Sequence, residues 1–160
     1  MTSRRQEIIE RLQREFYSCD KHVLRINEAL EALKQILPMT SESYAHLDTE
    51  QVRCLDQFIF RFSKLQDAMG AKLFRLVLEY LDEEVSSLPM RDILNRLERY
   101  RIIPDADEWN YVRELRNEIS HDYPLLESDT VSVLNELFSK VEVLFGIYGR
   151  LKKTVEVNNV

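Results

Sequence analysis

Arg116, Asn117, His121 and Tyr123 fall within eight consecutive residues, RNEISHDY. They bring a permanent cation, an amide, a titratable imidazole and a phenol within about two helical turns. That set suits phosphoryl transfer without a metal. An imidazole with an unperturbed pKa of about 6.5 can take the proton of a ribose 2′-hydroxyl or return one to a leaving 5′-oxygen. A guanidinium can fork onto phosphate oxygens and hold the extra charge of a five-coordinate transition state. Both demands are those of RNA cleavage, since DNA lacks the internal nucleophile. A plainer reading stands beside this one: Arg116 steadies a helix C-terminus through its dipole and His121 merely ends the helix.

The spacing sets a condition on the first reading. Asn117 and His121, four apart, share a helix face, but Arg116 and His121, five apart, diverge by about 140° on a straight helix. Pro124 pushes Tyr123 out of helical geometry, so the helix must end at the motif. If its last turn unwinds, His121 and Tyr123 swing back toward Arg116, with Asn117 placed to orient the imidazole.

Other chemistries find little footing. His22, His46 and His121 lie in separate segments with no HxxxH or HExxH spacing, and there is no GxxxxGK[ST] or GxGxxG loop. No metal and no cofactor are expected, and His22 and His46 read as surface or capping residues. Cys19 and Cys54 lack CxxC spacing and read as small apolar residues of a reducing compartment.

The elements that must position the motif are helical. With only 3 Gly and 4 Pro in 160 residues, the backbone has few turns to make. Ile9, Leu12, Phe16, Cys19, Val23, Ile26, Leu30, Leu33 and Leu37 alternate by three and four, a stripe on a long first helix that Pro38 ends. This seam suits a coiled coil or one side of an antiparallel bundle; matching faces downstream favour the bundle. The polar stretch 39–49 reads as a loop. A second helix, capped by Asp48 or Thr49, carries Val52 through Tyr80 and contains Gly70, where a neighbouring backbone could approach closely. A third helix spans 89–100, and a fourth opens at Asp105 or Asp107, buries Trp109, Val112, Leu115 and Ile119, and ends in the motif. A fifth begins at Pro124 and runs through Leu151, leaving 153–160 as a frayed tail. The expectation is a single all-α domain over 1–160, an antiparallel bundle of about five helices with a long first helix.

A net charge of −6 gives no global field for nucleic acid, so any phosphate-binding surface must be local. The N-terminal MTSRRQEIIERLQRE has basic residues but no apolar run after them, so neither a signal peptide nor a membrane anchor is expected, and the location expected is cytoplasmic.

An all-helical chain with R-x-x-x-x-H-x-Y closing its penultimate helix resembles the HEPN superfamily, and within it the HepT-like toxins encoded beside minimal nucleotidyltransferase antitoxins. Arg116, Asn117, His121 and Tyr123 carry the likeness. It implies a metal-independent endoribonuclease acting on RNA as a homodimer, with Arg116 and His121 catalytic, Asn117 supporting, and two motifs facing one cleft. It implies further that Tyr123 is the residue to which a cognate nucleotidyltransferase antitoxin adds AMP, and that a polar residue of the second helix stands near the motif, for which Asp67 is the candidate. The first helix and the 39–49 stretch are longer than in compact members of that superfamily. Dimerisation has separate chemical support: one His per chain is ill suited to be both acid and base in one step, whereas a twofold axis supplies two. Two alternatives remain: a non-catalytic helical module that binds a nucleotidyltransferase or another partner, and a structural protein assembled through the first helix.

Overall fold

The computed structural model describes residues 3–120 and 127–158. The elements are α1 (Arg4–Leu33), α2 (Ser41–Ala45), α3 (Thr49–Ala68), α4 (Phe74–Tyr80), α5 (Met90–Arg99), α6 (Ala106–Ser120), α7 (Glu127–Ser139) and α8 (Val141–Asn158). The chain is an all-α bundle, with no strand among the described residues. Among those residues, too, no helix is long and apolar enough to cross a membrane.

α1 starts where Ser3 Oγ accepts the Gln6 backbone N–H at 3.1 Å, and it tightens into a short 3-10 turn, Lys34–Ile36, just before Pro38. Its buried residues are Ile8, Leu12, Cys19, Ile26, Ala29 and Leu33, with Ile9, Phe16, Val23 and Leu30 half-buried beside them. That face is broader than a two-stranded seam, as a helix lying on a globular core requires.

α3 begins at a reciprocal cap, in which Asp48 accepts from Gln51 N and the Gln51 side chain accepts from Asp48 N. It continues into α4 through a π-helical turn, Met69–Leu73, that contains Gly70. The joined helix is the spine of the bundle: Phe58, Phe62, Leu65, Met69, Leu73, Phe74 and Val77 are all buried. It runs antiparallel to α1. Gln57 donates to the Arg25 carbonyl, Arg61 meets His22, Lys72 pairs with Glu15 and Arg5 donates to the Tyr80 carbonyl, so partners on α1 descend as those on the spine climb.

Three boundaries differ from the sequence-based expectation. The stretch 39–49 is not simply a loop. Thr40 and Ser43 cap each other to start α2, Met39 is buried, and the Asn135 amide grips both the N–H and the carbonyl of Met39 at 2.8 Å each. The fifth helix is two. The Lys140 N–H turns back to Leu137 O while Lys140 O opens the next helix through Leu144 N, and Glu108 on α6 holds the Lys140 ammonium at 2.9 Å. Finally, the part of 153–160 within the described residues is not frayed: α8 stays helical to Asn158, and Val155 is buried with its carbonyl accepting from the Tyr80 hydroxyl at 3.0 Å.

Candidate functional site

α6 is launched by Asp105, whose Oδ1 accepts the Glu108 N–H at 2.6 Å, with Asp107 and Glu108 favourably placed in the first turn. Trp109, Val112 and Leu115 bury one face against the spine. That anchoring leaves Arg113, Arg116, Asn117 and Ser120 along the borders of the buried stripe, and it brings Arg116 over α3.

Arg116 is fixed at two points. Its Nη2 donates to Asp67 Oδ2 at 2.8 Å and its Nη1 donates to Asn117 Oδ1 at 3.2 Å. Nε is buried without a partner. A guanidinium has five N–H donors, so two are engaged, one is enclosed, and two terminal N–H groups have no partner among the described residues. The Arg116 side chain is 26% exposed and Asp67 52%, so solvent screens the pair and its contribution to stability is at most about 1 kcal/mol. Its main consequence is orientation. Asp67, Arg116 and Asn117 therefore do come together, across 49 residues of sequence in the case of Asp67 and Arg116. Arg116 turns to Asp67 and Asn117 rather than to its own-face neighbours.

The groove beside this pair, about 460 Å³, lies between α3 and α6. Asp56, Phe60, Ser63, Lys64 and Asp67 form its α3 wall at three- and four-residue spacing, and Arg116, Ile119 and Ser120 form the α6 wall. Phe60 is an exposed aromatic ring flanked by Lys64 and Arg61, each with its charge 5.6 Å from the ring centroid. Lys64 and Arg116 are matched by Asp56 and Asp67 within the lining, so the groove of one chain is close to neutral. Net charge therefore gives the groove of one chain no preference for an anion.

His121 and Tyr123 lie outside the described residues. Ser120, which precedes His121, lines the groove. The other two histidines are spoken for: His46 Nδ1 meets the Glu42 carbonyl at 2.8 Å, and His22 Nδ1 accepts from Arg61 at 3.0 Å. Burial, then the charges of Arg61 and Lys64, hold His22 below the ordinary imidazole range, so it is neutral at pH 7. Among the described residues no three His, Cys, Asp or Glu side chains converge as a metal cage.

Sequence reasoning missed Phe60 and Lys64. A signal was available, since Phe58, Ile59 and Phe60 are consecutive and a helix cannot bury three successive side chains on one face. No protein-family model, no curated protein and no solved structure matches the chain.

Proposed function

We propose that the chain is a metal-independent endoribonuclease of HEPN type, a toxin acting as a homodimer and silenced by a cognate nucleotidyltransferase. The observation that carries this reading is the Arg116 guanidinium, held by Asp67 from a separate helix with two terminal N–H groups left for a phosphate. A mere helix cap would have no use for that arrangement, because a C-terminal cap is made to the helix's own last carbonyls.

In the reaction proposed, the ribose 2′-oxygen attacks phosphorus and the P–O5′ bond breaks. His121 of one chain takes the 2′ proton, and His121 of the partner chain, protonated, gives its proton to the departing 5′-oxygen. Arg116 holds the phosphoryl oxygens as their charge rises. The products are a 2′,3′-cyclic phosphate and a 5′-hydroxyl, with no net proton change. Silencing follows from Tyr123: its phenol oxygen, giving up its proton to solvent, attacks the α-phosphorus of ATP at the antitoxin, pyrophosphate leaves, and the bulky, charged AMP blocks the cleft.

The test is RNA cleavage in EDTA by the purified chain and by Arg116→Ala and His121→Ala. Loss of cleavage in both, with helical circular dichroism retained, supports the reading; full activity in His121→Ala sinks it. One observation favours a second reading, a non-catalytic module that binds a nucleotidyltransferase: Asp67 already neutralises much of the charge Arg116 would bring to a phosphate. That reading expects a stable complex with the enzyme and no cleavage above background.

A further inference from the structure

Next to the groove, and sharing Asp67 with it, a pocket of about 310 Å³ opens where the π-helical turn passes α5 and α6. Gln66, Gly70, Ala71, Met90, Trp109 and Arg113 line it. A π-helical turn inserts one residue beyond the α-helical repeat, and such insertions gather at functional sites. Here Gly70 lets the backbone lie against the indole: a Cβ at that position would stand 3.1 Å from Trp109 Cζ2. Phe74 also packs against Trp109, with ring centroids 4.6 Å apart. The result is a mostly apolar slot whose lining also carries the Gln66 amide, the Asp67 carboxylate and the Arg113 guanidinium.

Of these, the Gln66 amide is the one that is buried and unpartnered. Gln66 is 2% exposed, and neither Nε2 nor Oε1 has a hydrogen-bond partner. Nearly every buried side-chain polar atom in a folded protein is paired, and a methionine or leucine would fill this place without the penalty. An amide offers a donor and an acceptor side by side, the pattern that matches the edge of a nucleobase. The rim carries Arg113, one turn before Arg116 on α6 and about 4.5 Å from it along the axis. An apolar slot, an amide edge and a cation answer the face of a base, its edge and its phosphate, and the Asp67 carboxylate between pocket and groove is already paired with Arg116.

We infer that this pocket receives the base of the nucleotide adjoining the phosphate at Arg116. The inference rests on the ribonuclease reading for its substrate, and it adds a base subsite that Gln66 reads and Trp109 walls.

Trp109 is the single tryptophan of the chain, so its fluorescence reports this pocket alone. The full-length protein, in EDTA, is titrated with each of the four nucleoside 5′-monophosphates, with ribose 5-phosphate as the base-free probe. Saturable change with at least one mononucleotide and none with ribose 5-phosphate is the expected result. Gln66→Met removes the amide, and Ala71→Leu, at an exposed helical position, closes the mouth; each should weaken that binding at least tenfold with circular dichroism unchanged. A short oligonucleotide should then bind more tightly than the mononucleotide if the base belongs to RNA; a free nucleotide binding more tightly than any oligonucleotide overturns the assignment to substrate. No saturable signal from any mononucleotide, or equal binding in both variants, overturns the pocket itself. Base binding without cleavage leaves the pocket standing and removes the ribonuclease reading. Cleavage that ignores Ala71→Leu does the reverse.

Discussion

Gln66→Met is expected to make the protein more stable, which is unusual for a change in a packed interior. The residue is 2% exposed on the spine helix, and both amide atoms are unpartnered. Leaving buried polar groups unmatched costs about 1–3 kcal/mol, and replacing an unpaired polar group by an apolar one of similar shape returns it. Methionine is close to glutamine in length and flexibility, so little cavity or overpacking opposes the gain. A gain of about 1–3 kcal/mol corresponds, at ~3 °C per kcal/mol for a chain of this size, to a Tm higher by roughly 3–9 °C. Urea titrations of both proteins at one concentration should show a raised midpoint at unchanged slope. A Met variant less stable than the parent by 1 kcal/mol or more would refute the reasoning, because it would mean that the amide is already satisfied inside the fold. The same variant should lose base binding, so that stability and recognition move in opposite directions.

Further outcomes follow from other contacts. Asp67→Ala removes a screened ion pair, so stability should fall by less than about 1 kcal/mol while RNA cleavage falls at least tenfold through loss of Arg116 orientation; a large stability loss in urea would assign Asp67 a structural role instead. Cys19 is fully buried, and burial, then Glu15 and Asp20, push its thiol up to about 12, whereas Cys54 is half-buried. A thiol reagent at pH 8 should therefore label Cys54 alone in the native protein and both in denaturant; fast labelling of Cys19 would contradict the packing of α1. His22 has a folded pKa below its ordinary 6.5, so the folded state binds its proton less readily than the unfolded chain. Its contribution is fully present above pH 6.5 and declines as the pH falls below that value. His22→Gln should flatten the loss of Tm between pH 7.5 and 5, and an unchanged slope would show that neither burial nor the charges of Arg61 and Lys64 disfavour the protonated ring.

Much of the fold was legible because helix signals are local. The three-four alternation of α1, the Asp48 cap and the prolines at 38, 89 and 104 each act within a turn or two of where they stand. The break at Lys140 was hidden, since Leu137, Val141 and Leu144 keep helical spacing straight through it. What bends the chain there lies in its surroundings, where Lys140 reaches Glu108 on another helix. α2 was missed because its five residues carry no apolar stripe, only a pair of hydroxyl caps. Gly70 was visible as an oddity in a helix, but only packing against Trp109 explains it, and the close approach is by an indole rather than a backbone. Within the site, Arg116 and Asn117 were found by spacing. Asp67 came from family likeness, because nothing local ties it to a residue 49 positions away. Gln66 had a readable signal: it falls one turn after Phe62 on the apolar face, where a polar residue is out of place.

The central claim is that Arg116 and His121 cleave RNA without a metal, and that the two histidines of a reaction come from two chains. The most direct measurement mixes two dead variants, Arg116→Ala and His121→Ala, in EDTA after joint refolding, and follows cleavage of a labelled RNA. A cleft shared between chains predicts no activity from either variant alone. In mixed dimers, whose one shared cleft keeps a single Arg116 and a single His121, it predicts no recovery of cleavage, because one imidazole cannot serve as both base and acid; cleavage near the parent level in the mixture contradicts it. Parent-level cleavage by His121→Ala alone, or cleavage that EDTA abolishes, would contradict it.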